Sequence, residues 1–248
     1  MLTLAELKII LTAGQEGWKW AGVVRRGWDL VRSQNRRGLM RLFPFENVQL
    51  VVPAQSAGAD YQFTTEHDRQ AADCVKSAMA EIAVKVSVLN SSNASTIPEE
   101  NLISICGPAA NIVSKIVFEK RADVPFQFVF KQDENRWIIQ HLLPSGRKLE
   151  YGRAAGDPID YAILLKVRNP AASSRTVYLG AGIAGLGTMA AAWLLTKGHK
   201  NLLRELQQAK IHERESYACL LHCFSAKASD AEKAQEDLHV AILNIEQC

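Results

Sequence analysis

The sequence predicts an α/β fold: a three-layer sandwich with a mostly parallel central sheet, preceded by a basic helical segment. Three observations predict it. Short β-branched runs alternate with helix-period segments from residue 45 onward. Two of the strands run into glycine-bearing turns that lead straight to helices, and positive charge concentrates in the first 43 residues. The 248 residues are 48% hydrophobic and 22% charged with a net charge of +3, which excludes disordered, collagen-like, coiled-coil and disulfide-stapled classes. That length suits one large domain with an appendage.

The appendage is residues 1–43. Eight Lys or Arg stand there against Glu6, Glu16 and Asp29, a net of +5 that leaves −2 for the body. Trp20, Val24, Trp28 and Val31 follow a 4, 4, 3 spacing that makes one helical stripe, with Arg25, Arg26, Arg32 and Arg36 largely off it. Such a basic amphipathic helix can pack on the body or on a second copy, lie on an anionic membrane surface, or fill a partner's groove. Nucleic acid is the less favoured partner. Gly14, Gly17, Gly22, Gly27 and Gly38 argue against one rigid helix. No run of eighteen apolar residues occurs, and the opening MLTLAELKIILTAG lacks the basic-then-apolar order of a signal peptide. The expectation is a cytoplasmic chain, with peripheral association at the inner membrane surface left open. Cys74, Cys106, Cys219, Cys223 and Cys248 are odd in number and scattered, as reduced core thiols are.

The body, residues 44–248, begins with NVQLVVP (47–53), a β-branched run closed by Pro53. Thr64 or Thr65 then caps a helix in which Ala72, Val75, Met79 and Ile82 recur at threes and fours. VKVSVL (84–89) completes a βαβ unit, and NLISIC (101–106) is the next strand. A helix through NIVSKIVFEK follows, then PFQFVF and RWIIQHLL around the turn QDEN as an antiparallel hairpin. PSGRKLEYGRAAGDP reads as loop. DYAILLKV (160–167) has the nearly continuous apolarity of a central strand and stops at Asn169-Pro170. RTVYLGAG (175–182), a helix from about Gly187 to Lys197, a second helix after Gly198, and the strands ESYACLLHC and DLHVAILNI finish the chain.

The richest motif is TVYLGAGIAGLGT, which matches G-x-G-x-x-G at Gly180, Gly182 and Gly185 between a strand and a helix. Glycines there let backbone N–H groups approach a phosphate, and the helix N-terminus adds its dipole. Gly187 and Thr188 extend the turn. Over about two dozen residues this block resembles the opening motif of FAD- and NAD-dependent oxidoreductases. Glu205, twenty residues on, falls in the helical LLRELQQ rather than at a strand end, so the resemblance stops at the turn. The second turn, ICGPAAN, offers Gly107, Pro108 and Asn111, whose side chain can cap the helix or present an amide to a ligand. Together, ICGPAAN, DYAILLKVRNP and the GAGIAGLGTMAAAWLL block loosely resemble, over residues 45–245, a prokaryotic Rossmann-like α/β family with GGPxxN and AGxxGxGTxAAxxL elements. That resemblance implies a Rossmann-like three-layer sandwich and transfers no activity. Cys106 stands where the family pattern has glycine.

If the two turns face each other, their N–H donors form a seat for a small anionic ligand of nucleotide type. The cofactor, if any, is unspecified. Beside that edge, Glu66 and Asp68 are the candidates for a general acid or base, or for holding a ribose hydroxyl; they equally suit a helix N-terminus. Cys219 and Cys223 alternate away from His222 along a strand, so no metal site is expected. Three functions follow: a sensor of a nucleotide-like ligand that reports through its basic segment, an enzyme of hydrolase or glycosidase type acting on a nucleotide or NAD-like substrate, or a scaffold whose glycine turns only pack. A homo-oligomer is compatible with each.

Overall fold

A computed structural model describes residues 33–53, 65–154, 156–227, 231–234 and 236–248. The chain forms a mixed α/β structure on a seven-stranded sheet. Its elements are α1 (33–42), β1 (Asn47–Val52), α2 (Glu66–Glu81), β2 (Lys85–Asn90), β3 (Leu102–Ile105) and α3 (Ile112–Lys120). Then come β4 (Phe126–Lys131), β5 (Arg136–Leu142), β6 (Lys148–Gly152), β7 (Ile159–Asn169) and β8 (Ala172–Gly182). Helices α4 (Gly185–Leu195) and α5 (His199–Gln208), strand β9 (Tyr217–Phe224), the short α6 (Ala231–Ala234) and β10 (His239–Gln247) complete it.

The strand order is β10-β9-β7-β8-β3-β1-β2. Strands β2, β1, β3 and β8 are parallel neighbours, whereas β8–β7, β7–β9 and β9–β10 are antiparallel. Five of the seven strands therefore point one way. The antiparallel half follows from Asn169-Pro170. A turn this short cannot carry a crossover, so β7 and β8 pair as a hairpin of two eleven-residue strands. Asn169 secures it by donating to Pro98 O (2.7 Å) and Glu100 O (2.8 Å) while accepting from Ala171 N (2.9 Å).

Alternation along the strands feeds two cores. On one face, Leu50, Ile103, Leu164, Tyr178 and Cys219 pack under α1, α2, α4 and α5. On the other, Val51, Leu102, Ile163, Leu179 and Leu220 pack under α3 and a separate sheet of order β4-β5-β6. That sheet contains a strand, β6, where the sequence predicts loop. Pro144-Ser145-Gly146 is a tight turn, with Gly146 at φ +81° and its N–H donating to Leu143 O, and β6 pairs with β5 beyond it. The period-two signal is short and weak, since only Leu149 and Tyr151 turn inward. His141 Nε2, 2.6 Å from Glu246 Oε1, ties this sheet to β10.

Helix α1 belongs to the body's core, and the expected boundary at residue 43 does not divide it. Leu39, Leu42 and Phe43 are buried with β8 and α5, the Tyr178 hydroxyl donates to Leu42 O, and Arg41 Nε meets Glu213 Oε1 at 3.0 Å. The stripe Trp20, Val24, Trp28 and Val31 lies outside the described residues. Among the described residues no helix is long and apolar enough to cross a membrane.

Gly38 lets α1 touch α5. A Cβ there would lie 2.6 Å from the ring of His199, which is buried and fixed by its Nδ1 on Thr196 O at 2.6 Å. G38A should therefore lower stability in urea denaturation by about 1–3 kcal/mol. Alanine's helix preference alone would raise it by about 1 kcal/mol. An increase would show that the ring yields.

Candidate functional site

The turn after β8 is enclosed by the protein itself. A Cβ on Gly182 would lie 2.3 Å from Ala184 O and 2.4 Å from Thr188 N, and one on Gly180 3.2 Å from Ala191 Cβ. A Cβ on Gly187 would stand 2.8 Å from Gly182 Cα, and one on Gly185 2.8 Å from Thr65 Oγ1 and His67 Cβ. These four glycines admit neighbouring backbone and α2, not a ligand. Thr188 is buried, and its hydroxyl accepts from Gly182 N at 3.2 Å.

The N-terminus of α4 already holds an anion. Asp160, at 0% exposure, accepts on Oδ2 from Gly187 N (2.7 Å) and Ala184 N (3.0 Å), and on Oδ1 from Tyr161 N (2.8 Å). Its carboxylate takes the seat that a phosphate takes at such a helix start. Burial pushes its pKa up to about 6, against the pull of three amide donors and of Arg153 Nη1 at 4.0 Å. The signal for this residue is a single acid at the start of a nearly continuous apolar run, a pattern that by itself marks only where the strand begins.

The turn after β3 is equally self-contained. Asn111 caps α3 by accepting from Val113 N (3.0 Å) and Ser114 N (3.2 Å), and its amide donates to Ile105 O (2.8 Å) and Ser104 Oγ (3.0 Å). No polar atom of it remains for a ligand, so of the two roles open to it the cap is the one it fills. Ser114 Oγ donates to Cys106 O at 2.9 Å. Cys106 has φ +81°, the region that favours glycine, at the position where the resembled pattern carries glycine.

Parallel pairing of β3 with β8 brings together the two turns, whose adjacency the sequence leaves open. Cys106 N donates to Gly180 O at 2.9 Å, and a Cβ on Gly107 would lie 3.3 Å from Gly182 O. They meet by contact, with no space between them. The expected seat of free N–H donors is therefore corrected: Gly107, Asn111, Gly180, Gly182, Gly185, Gly187 and Thr188 build a packed junction with Asp160 at its centre. Pro108 instead borders a cavity beside α3.

Glu66 and Asp68 flank the same edge. Asp68 forms a capping box with Thr65: Oδ2 accepts from Thr65 N and Oγ1, both at 2.9 Å, and Asp68 N donates back to Oγ1 at 3.2 Å. Burial raises its pKa, against the pull of the Thr65 donors and of the Cys106 thiol. Burial, reinforced by the Asp68 charge, pushes the Cys106 thiol up to about 12, so it stays protonated and weakly nucleophilic. Glu66 is exposed and accepts from Arg69 Nε at 2.8 Å, which holds its carboxyl below the usual range. Arg69 Nη1 also reaches Asp73 at 3.0 Å. Neither acid is presented as a free proton donor or acceptor.

Among the described residues, two of the cavities of ligand size concern this edge and the neighbouring helix α3. One of about 510 Å³ opens at the carboxyl ends of β1 and β2, lined in part by Thr65, Glu66, Asp68, Arg69, Lys76 and Asn90. The other, about 620 Å³, separates α3 from the three-stranded sheet. Cys219 and Cys223 are buried, with Cys223 Sγ on Asp160 O at 3.0 Å, and His222 packs on Tyr161 with ring centroids 5.4 Å apart. No protein-family model matches the chain, and no curated protein sequence matches it significantly.

Two outcomes follow from this junction. The rise of Asp160 from 3.8 to about 6 means the folded chain holds its proton more tightly than the unfolded chain. Its contribution is thus full below pH 4 and lost as pH rises through 6, by about 3 kcal/mol. The stability of wild type relative to D160N should fall between pH 4 and pH 7 in urea titrations; a pH-independent difference would contradict it. G182V drives methyls into backbone and should abolish cooperative unfolding, a loss above about 4 kcal/mol, visible as a missing transition by circular dichroism.

Proposed function

We propose that the protein is a Rossmann-like ligand-binding module that takes a nucleotide-class small molecule in the crevice at the carboxyl ends of β1 and β2. Its basic N-terminal segment would serve association with a partner or a membrane surface. The observation that carries the reading is the strand order. Strands β2, β1 and β3 are parallel neighbours, and the chain leaves β1 for α2 on one face but β3 for α3 on the other. Loops part between β1 and β3, and open α/β sheets take ligands at such a point. The 510 Å³ cavity lies beside it, within the range of small-molecule sites.

The lining suits both ends of a nucleotide. Glu66 and Asp73 offer acceptors for ribose-type hydroxyls, and Arg69 and Lys76 offer donors for phosphate. Lys76 is the less committed cation, with its Nζ 3.9 Å from Asp73 Oδ1 and half its side chain exposed. Phosphate is assigned to these cations because Asp160 fills the start of α4. A scaffold without ligand is the second reading, favoured by the same carboxylate and by the protein atoms that crowd each glycine of the β8–α4 turn. An enzymatic reading on Glu66 and Asp68 has less support, since one is ion-paired at the surface and the other is spent on a cap.

Thermal shift against adenosine, AMP and ADP-ribose, with native mass spectrometry for any copurifying molecule, tests the proposal. AMP should stabilise the chain more than adenosine, and K76E should remove the difference; at a hundredfold excess over Kd the gain is about 2.7 kcal/mol. No shift and no copurifying species would leave the scaffold. A shift that K76E and R69A leave unchanged would overturn the assignment of this crevice.

A further inference from the structure

The cavity between α3 and the three-stranded sheet is independent of that crevice, and its chemistry is different. Phe118 and Phe128 meet edge to face, centroids 5.6 Å apart at 76°, and Trp137 packs beside Phe130 at 5.3 Å on the same sheet. Phe118, Phe128 and Trp137 line a space of about 620 Å³ with Pro108 at its border. Rings splayed in this way leave faces and edges for another ring, the arrangement in which aromatic pairs gain beyond their buried area.

The charged part of the lining is a single pair. Lys115 Nζ and Glu119 Oε1, one helical turn apart on α3, stand 3.9 Å from each other with side chains 54% and 60% exposed. An exposed helical pair at that separation is worth only a few tenths of a kcal/mol, so exchanging partners costs little. A ligand that complements this wall carries an aromatic ring and, next to each other, one negative and one positive group.

We propose that this cavity binds a free aromatic α-amino acid, its ring among Phe118, Phe128 and Trp137, its carboxylate on Lys115 and its ammonium on Glu119. One carbon separates the two charges of such a zwitterion, which matches two side chains already in mutual contact. The site does not rest on the nucleotide reading.

Isothermal titration of the full chain with L-tryptophan, L-tyrosine and L-phenylalanine tests it, with indole-3-propionate and tryptamine as analogues that each lack one charge. At least one amino acid should bind, and each analogue should bind about tenfold more weakly than L-tryptophan, the loss of one charge-assisted hydrogen bond. K115A should weaken L-tryptophan but leave tryptamine unchanged, and E119A should weaken L-tryptophan but leave indole-3-propionate unchanged. Both substitutions are on an exposed helix face and leave the core intact. Absence of binding by all three amino acids at millimolar concentration would overturn the proposal. So would equal effects of each substitution on every probe, which would mark simple apolar adsorption.

Discussion

A buried carboxylate holding the start of a helix is the constraint on which the rest of the structure depends. Asp160 is the second residue of β7, yet its side chain reaches the turn that leaves β8 and accepts two amides there. The hairpin and the helix that follows it are thereby locked at one point. An ionised group without solvent is stable only when donors surround it, and the glycines supply them by letting backbone close in. Remove the carboxylate and α4 has orphan N–H groups in the core; keep it and no external anion can enter. The architecture that elsewhere receives a phosphate here satisfies itself.

That self-sufficiency divides the edge of the sheet into two regimes. At the turns after β3 and β8 four buried polar side chains are spent: Asn111 on a cap, Ser104 and Ser114 on each other, Thr188 on Gly182. Around β1 and β2 the side chains are charged and exposed, and Lys76 is only loosely paired. Recognition belongs where polar groups still have capacity, so the ligand reading moves from the glycine turns to the crevice beside α2.

The strands and helices were largely legible in the sequence because each carries its own period. The capping threonine, the βαβ unit, the hairpin around QDEN and the apolar run of β7 are local signals, and the structure places them within a few residues of where the pattern does. What was not legible depends on partners distant in sequence. G-x-G-x-x-G states that backbone must come close to something, but not to what; here Gly185 meets His67 of α2 and its cap Thr65, and Ala184 N meets Asp160, 22 residues before Gly182. Strand β6 was hidden by its turn residues and two inward side chains. The boundary at residue 43 followed charge, whereas Leu39, Leu42 and Phe43 follow the core.

The turn at Asn169-Pro170 also bears on the order in which the chain gathers. Strands β7 and β8 are joined with almost no loop to close, while β8 must find β3 across some seventy residues. Loop-closure entropy favours the nearer pairing first, and topology dominated by distant pairing is slow. The long hairpin is thus the natural seed, and β1 to β3 with their helices condense on its flank afterwards. A slip of one residue at that seed would exchange the side chains that β7 sends to the two cores, which gives Asn169's grip on the 98–100 segment a kinetic as well as a static role.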